Sequence, residues 1–202
     1  MRSLLVCCLF GALLATGTCL QCEICTGLSK TCEGHMQNCA EEQDTCIHSI
    51  YELMQDYITV TLNVKECGKL SSCEYGQPEV EVGKGLRMRV HRSCCTGEKC
   101  RTLPPPELSA PDIKSNNLQC PGCVGMFSSK CYPQPVECTG SNTKCMSIIL
   151  NATAAGHAQF AIKGCASEDL CALLKPGNQE FFTSTVWLNE ALCMEPAHIE
   201  AV

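Results

Sequence analysis

The stretch Ser93-Cys94-Cys95-Thr96-Gly97-Glu98-Lys99-Cys100 places two adjacent cysteines before a short loop that ends in a third cysteine. Neighbouring cysteines rarely bond to each other, because their Cα atoms are too close and too constrained for normal disulfide geometry. Cys94 is therefore expected to bond a cysteine earlier in the chain, while Cys95 can close the loop onto Cys100. The alternative, a zinc site, would need a second cysteine pair or histidines at metal-ligand spacing, and we predict no metal.

The cysteine content predicts an oxidising compartment. The chain has 202 residues and 21 cysteines, a share typical of a disulfide scaffold, and cytosolic thiols are kept reduced. A basic start, an apolar run over residues 4–15 and small residues at 16–19 predict that residues 1–19 are a secretory signal peptide. Cleavage after Cys19 would leave 18 cysteines, an even number that allows nine disulfides.

Charge and hydropathy exclude two classes of partner. The chain has 15 Lys and Arg against 21 Asp and Glu, spread along its length without the basic stripe of a nucleic-acid binder. After the signal peptide no stretch is long and apolar enough to span a membrane. The C-terminus, residues 193–202, lacks the hydrophobic tail that precedes lipid anchoring. We therefore expect a soluble, secreted, extracellular protein with no nucleic-acid partner and no membrane anchor.

The cysteines form an internal repeat with a period of roughly 98 residues. The first repeat spans residues 20–101 and the second spans residues 120–202. Both begin with a Cys-x-x-Cys pair and keep closely matching gaps across eight cysteines. The second repeat ends at Cys193, without the adjacent cysteine pair and closing loop of the first. This pattern predicts two similar disulfide-rich domains.

The linker between the repeats, residues 102–119, is rich in proline and has no cysteine. Its segment Pro104-Pro105-Pro106 is expected to be extended and fairly stiff, because proline fixes φ and removes a backbone donor. Composition favours a spacer. The alternative is an exposed, extended binding element to which Leu103 and Leu108 contribute apolar contacts.

Alternating apolar residues predict β-hairpins in the long gaps between cysteines. Residues 57–64 alternate, and they follow β-forming residues 47–54 across a turn at Gln55-Asp56. A second hairpin is expected around Gly83-Lys84-Gly85 and a third around Asn151-Ala152-Thr153. The fold class predicted from these features is all-β.

Two residues of the second repeat have individual predicted roles. Asn151 begins the only glycosylation sequon, and we predict that it carries a glycan at an exposed position near a hairpin tip. Trp187, the only tryptophan, lies in a predicted strand over residues 181–192. A buried aromatic is the expected role of Trp187, and an exposed contact is the alternative.

Basic residues cluster on one predicted strand. Arg87, Arg89 and His91 would share one face, opposite Leu86 and Met88. The usual behaviour of charged side chains predicts a solvated face. The alternative is a patch that binds acidic groups on a partner, which would make association sensitive to salt.

We expect no enzymatic activity. The five histidines are scattered, and none lies in a nucleophile or zinc signature. Ser93 is not part of a Gly-x-Ser-x-Gly motif. Cysteines that have been oxidised to disulfides cannot act as nucleophiles. The sequence therefore predicts no catalytic residue and no cofactor.

The cysteine spacing of the first repeat, ending in Cys94-Cys95-x4-Cys100, resembles the three-finger fold of the urokinase receptor and snake neurotoxins. The resemblance implies an all-β, disulfide-rich chain of two tandem three-finger domains. It also implies the disulfides Cys22–Cys46, Cys25–Cys32, Cys39–Cys67, Cys73–Cys94, Cys95–Cys100, Cys120–Cys145, Cys123–Cys131, Cys138–Cys165 and Cys171–Cys193.

The whole chain resembles the gamma-type phospholipase A2 inhibitors, plasma proteins of reptiles with relatives in mammals. The shared motifs are Cys22-Glu23-Ile24-Cys25, the stretch over residues 94–100, Cys120-Pro121-Gly122, Thr143-Lys144-Cys145 and Ile162-Lys163-Gly164-Cys165. The resemblance implies a secreted inhibitor that occludes the lipid-facing surface of a secreted phospholipase A2. It further implies oligomers of like or unlike subunits, and an inhibitory role for the proline-rich segment, here Leu103, Pro104, Pro105, Pro106 and Leu108.

Two other functions stay open at this point. Three-finger proteins change targets easily, so the chain could be a secreted ligand or modulator of a receptor or channel. It could also be a structural subunit of an inhibitor oligomer that does not itself contact the enzyme.

Overall fold

Antiparallel β-strands make up most of this protein. The computed structural model describes residues 20–29, 31–74, 76–97, 100, 105–107, 109–152, 158–181 and 184–199. The predicted signal peptide lies outside the described residues, as do Leu103, Pro104 and Leu108. Within the described part of the chain, no helix has both the length and the apolar character needed to cross a bilayer.

The first repeat contains two long hairpins, and both predicted pairings are confirmed. Strand β3 pairs with β4 from Thr45↔Gly68 to Gln55↔Ile58. Strand β5 pairs with β6 across a turn in which Gly85 has a φ of +69°, a value that favours glycine. The strands are β1 (Gln21–Gly27), β2 (His35–Asn38), β3 (Thr45–Gln55), β4 (Ile58–Gly68), β5 (Glu79–Gly83) and β6 (Leu86–Cys95).

In the described residues after the first repeat there are seven strands and one short helix, and the first of these strands begins at Ser115, within the predicted linker. Helix α1 (Glu168–Leu173) was not predicted; it begins after Ser167, whose Oγ accepts a hydrogen bond from the Leu170 amide at 3.2 Å. The strands are β7 (Ser115–Met126), β8 (Gln134–Thr139), β9 (Lys144–Ala152), β10 (Ala158–Ala166), β11 (Gly177–Phe181), β12 (Ser184–Met194) and β13 (Ala197–His198).

A single sheet runs through both repeats. Its strand order is β11-β12-β9-β10-β5-β6-β3-β4-β1-β2; in addition, β7 pairs with β10, and β8 and β13 pair with β7. The two repeats meet where β10 pairs with β5, at Cys165↔Glu81 and Ala166↔Val80. Gly164 permits this approach, because a Cβ at that position would collide with the Glu81 carbonyl. The linker is therefore not the only connection between the repeats.

The interior combines disulfides with one main apolar core. Among the described residues there are nine disulfides, and each joins the two cysteines that the resemblance implies. The core lies mainly in the second repeat but includes Val80 of the first. Its buried members are Val80, Met146, Ile148, Ala166, Leu170, Leu174, Val186 and Leu188.

Candidate binding surface

Arg87 lies at the junction of the two repeats rather than on a solvated face. Its side chain is buried, with 6% of the residue exposed. Nη1 lies 3.0 Å from Glu79 Oε1, and Nη2 lies 3.0 Å from Glu81 Oε2, both on the neighbouring strand β5. The guanidinium also donates to the Asp112 carbonyl at 3.1 Å and to the Thr139 hydroxyl of the second repeat.

Arg89 is equally buried and has a similar set of partners. Its Nη2 donates to Glu52 Oε2 at 2.6 Å and to the Ser109 carbonyl at 3.0 Å. His91 Nε2 lies 3.3 Å from the same Glu52 oxygen. Burial lowers the pKa of the His91 imidazole, and the adjacent Arg89 guanidinium lowers it further.

The prediction of a solvated basic face at Arg87 and Arg89 is therefore wrong, and so is the alternative of a patch open to a partner. Their partners are carboxylates of the same chain and carbonyls of the linker. Periodicity shows that the two arginines share a face, but the linker packs over that face. Neither guanidinium is accessible to another protein.

Residues 109–112 of the linker contact the first repeat, whereas residues 115–119 begin strand β7 and pair with strands of the second repeat. Pro106 is buried, whereas Pro105 and Glu107 are exposed. The carbonyls of Ser109 and Asp112 accept the hydrogen bonds from Arg89 and Arg87. The prediction that Pro106 is an exposed contact is therefore wrong, and the linker over residues 109–114 is not a free spacer.

Exposed apolar side chains lie instead at the end of the β3–β4 hairpin. Leu53 and Val60 are cross-strand partners, and Ile58 is paired with Gln55 on the same face. Leu53 and Val60 are each 45% exposed, Ile58 is 69% exposed, and Tyr57 is fully exposed at the turn. We call these four residues the hairpin strip. No signal in the sequence separated this end of the hairpin from its buried base, because the apolar alternation continues along both.

A second exposed apolar group lies on the second repeat. Val124, Met126 and Phe127 are exposed at the end of β7, and we call them the second-repeat strip. Phe127 packs against Phe160 with ring centroids 5.9 Å apart. Its φ of +56° lies in the left-handed region, an unfavourable conformation that the surrounding structure must hold in place.

Strand register places the paired residues of both strips on the same face of the sheet, namely Leu53, Ile58 and Val60 of the hairpin strip and Val124 and Met126 of the second-repeat strip. Residues directly opposite each other on paired strands point to the same face, as do alternate residues along one strand. The face can be followed across the sheet through the pairs Val60↔Leu53, Leu53↔Met88, Met88↔Val80, Val80↔Ala166 and, further along β10, Phe160↔Met126. Val80 and Ala166 on this path are buried, so the two strips are separate groups of exposed apolar residues on one face.

Trp187 and Asn151 differ from the predictions in how far each residue is exposed. Trp187 is 50% exposed, so the prediction of a buried aromatic is wrong. It pairs with Asn151, the penultimate residue of β9, which lies near the hairpin tip as predicted but is half-buried rather than exposed. The Asn151 amide nitrogen donates to Asn189 Oδ1 at 3.3 Å. Glycosylation at Asn151 stays a prediction.

The clustered sulfurs do not provide a metal site. Groups of three neighbouring Sγ atoms occur within the described ranges, for example at Cys120, Cys138 and Cys165. These cysteines are all in disulfides. A disulfide sulfur is not the thiolate that zinc requires.

Comparison with known proteins matches both repeats. The family model described as phospholipase A2 inhibitor matches residues 20–102, and that of the u-PAR/Ly-6 domain matches residues 116–197. The chain is 42% identical over 175 residues to "Phospholipase A2 inhibitor NAI" of Notechis ater, covering 87% of this chain and 88% of that protein. It is 41% identical, over the same shares of the two chains, to a phospholipase A2 inhibitor gamma subunit of Elaphe climacophora. The crystal structure of mouse TEX101 covers 89% of this chain and 99% of its own at 15% identity, with a TM-score of only 0.36.

Proposed function

We propose that this chain, which belongs to the phospholipase A2 inhibitor family, is secreted, binds a secreted phospholipase A2 and blocks its activity. The observation that carries the proposal is the 42% identity over 87% of the chain, which extends across both repeats. The predicted signal peptide and the nine disulfides support secretion, because such a covalent frame belongs to an oxidising compartment.

Occlusion is the mechanism that the exposed surface supports. A phospholipase that acts on aggregated lipid must present an apolar surface to it. The hairpin strip offers a complementary apolar surface on a rigid β-hairpin, and burying both surfaces together is favourable. This mechanism requires no catalytic residue in the inhibitor, and we propose that the chain is not an enzyme.

Assembly with related chains is part of the proposal. The Elaphe climacophora relative is described as a subunit. The second-repeat strip would leave a second apolar surface open to solvent after the hairpin strip is occupied. We therefore expect a homo-oligomer or a hetero-oligomer with related subunits. Light scattering that shows only monomer at micromolar concentration would contradict this part.

The test uses oxidised protein over residues 20–202 and a panel of secreted phospholipases A2, with binding and hydrolysis both recorded. We expect tight binding and loss of hydrolysis for at least one enzyme. The double variant Ile58→Asp/Val60→Asp should weaken binding at least about tenfold, because it places charge in an apolar contact. Met36→Asp is the matched control, since Met36 is an exposed apolar residue of the same repeat outside the strip.

The possible outcomes distinguish an error in the proposed function from an error in the proposed binding surface. If no enzyme is bound, alone or with a companion chain, inhibition is wrong and a receptor or channel ligand becomes the better hypothesis. If wild-type protein inhibits but the strip variant inhibits equally well, the hairpin strip is the wrong surface.

A further inference from the structure

Arg87 and Arg89 contact every part of the chain that meets at the junction of the repeats. We propose that they are positioning residues, which fasten the linker to the first repeat and fix the orientation of the second repeat relative to the first. We call them, together with Glu52, Glu79 and Glu81, the clasp. The proposal concerns the orientation of the two repeats relative to each other, which is a separate question from which protein the chain binds.

Arg87 joins the first repeat, the linker and the second repeat through one guanidinium. Glu79 and Glu81 hold it from β5, and the Asp112 carbonyl accepts from Nη1 at 3.1 Å. Thr139 of the second repeat accepts from Nη2 and donates to Glu81 Oε2 at 2.8 Å.

A side chain of the second repeat also bonds to Glu79, the other β5 carboxylate that contacts Arg87. Asn142, which is fully buried, donates from Nδ2 to Glu79 Oε1 at 3.1 Å. Each carboxylate on β5 is therefore bonded both to Arg87 and to a side chain of the second repeat. Any rotation of the second repeat would break bonds to a buried ion pair.

Arg89 provides a second attachment for the linker. Its Nη2 holds Glu52 Oε2 and the Ser109 carbonyl, three residues before the attachment at Asp112. Two attachments fix both position and direction of a segment, whereas one would leave it free to pivot. The planar guanidinium suits this role, because its donors point in set directions that a lysine ammonium lacks.

The backbone pairing between the repeats is short, and Val80 of the first repeat also packs into the apolar core of the second. Strands β5 and β10 pair over only two positions. Beyond them, the Ser167 amide donates to the Glu79 carbonyl at 3.0 Å and the Gln77 amide donates to Asp169 Oδ2 at 2.9 Å. A buried ion pair often adds little net stability relative to an apolar pair. Its contribution here is the fixed geometry.

Amide hydrogen exchange on the intact, oxidised protein tests the clasp. The reporters are the amides of Ser167 and Gln77, which bond across the junction, and the internal standard is the Cys39 amide, which bonds to the Leu20 carbonyl within the first repeat. In Arg87→Met we expect the reporter amides to exchange about tenfold faster while the Cys39 amide is unchanged.

Two further variants test whether this result is specific to the junction. Thr139→Val removes the hydrogen bonds of Thr139 to Arg87 and Glu81 and leaves both ion pairs and the Asn142–Glu79 bond in place. It should accelerate the reporters by a smaller factor, and it is the variant to use if Arg87→Met fails to fold. Arg92→Met is the matched control, because Arg92 lies on the same strand but donates to Ser49 and Ser72 within the first repeat. Unchanged reporters in both junction variants, or equal acceleration in Arg92→Met, would overturn the proposal.

A second measurement asks whether the fixed orientation matters for binding, and it rests on the proposed function. Arg87→Met should weaken binding to the inhibited phospholipase although its side chain is not exposed. If the junction loosens and binding is unchanged, orientation does not control recognition, while inhibition itself stands. If wild-type protein binds no phospholipase, the proposed function fails, and the exchange experiment still decides whether the clasp exists.

Discussion

The two repeats share a cysteine pattern but fill it with different side chains. The second repeat has a core of aliphatic residues such as Ile148 and Leu188, in addition to a separate buried cluster of cysteines. The first repeat buries a large set of polar and charged residues, namely Thr45, His48, Ser49, Glu52, Asn63, Arg87, Arg89 and His91. Among the described residues, the buried polar set of the second repeat is Asn142, Ser147 and Ser167.

This difference shows how much a disulfide frame tolerates. Native disulfides in small secreted domains each stabilise by about 2–5 kcal/mol, so the frame does not depend on a uniformly apolar interior. Buried charge is still costly unless it is paired. In the first repeat, pairing is completed by carbonyls of the linker, which makes the linker part of that repeat's interior.

The largest expected effect comes from a substitution that disrupts the polar interior of the first repeat. Glu52→Ala leaves the buried Arg89 without its carboxylate and should lower the free energy of unfolding by about 3–5 kcal/mol. Denaturation with intact disulfides measures it. Glu42→Ala is the control, because Glu42 forms an exposed ion pair with Lys69 and its loss should have almost no effect.

A paired replacement sharpens the same point. Glu52→Leu/Arg89→Met removes both charges and should be far less destabilising than Glu52→Ala, because no unpaired charge stays buried. If the double variant is as unstable as the single one, the polar interior contributes through its shape and contacts rather than through charge pairing.

A somewhat smaller effect is expected from the apolar interior of the second repeat. Leu188→Ala should cost about 3 kcal/mol, since Leu188 is almost wholly buried and its truncation leaves a cavity. Leu192→Ala in the same strand, where Leu192 is half exposed, should cost much less. Equal losses would mean that β12 does not pack as described. If amide exchange in Leu188→Ala is faster only in the second repeat, the result would support the difference between the interiors of the two repeats.

The smallest expected effect is a pH dependence of the stability that arises from two buried histidines of the first repeat. Burial lowers the pKa of His48 and of His91 below the ordinary value of 6.5. The unfolded chain therefore binds protons at a higher pH than the folded chain does. Stability should be complete above the ordinary histidine pKa and should decline as pH falls below it towards the folded-state values.

Urea denaturation between pH 8 and pH 5 measures this slope. The variant His48→Gln/His91→Gln should show a shallower slope than wild-type protein, whatever its absolute stability. The buried polar residues of the second repeat do not titrate in this range, so the protection factors of its amides, which are corrected for the intrinsic pH dependence of exchange, should depend less on pH. Equal slopes for the two proteins would contradict the prediction.

Much of the local architecture could be predicted from residue patterns. Alternation over residues 57–64 located the β3–β4 hairpin, and the Gly83-Lys84-Gly85 segment located the next turn. Helix α1 was missed because six residues carry too little periodicity to identify a helix. The hairpin strip was not distinguished, because exposure depends on what packs over a strand.

The sequence by itself determined the cysteine repeat, the class of fold and which residues share a strand face. These features follow from short-range geometry and from spacing along the chain. Only the tertiary structure decided that Arg87 and Arg89 are buried, that the linker packs over them and that one sheet joins both repeats. The physical reason is that burial of a face depends on the segment that covers it, and here that segment lies some twenty residues further along the chain.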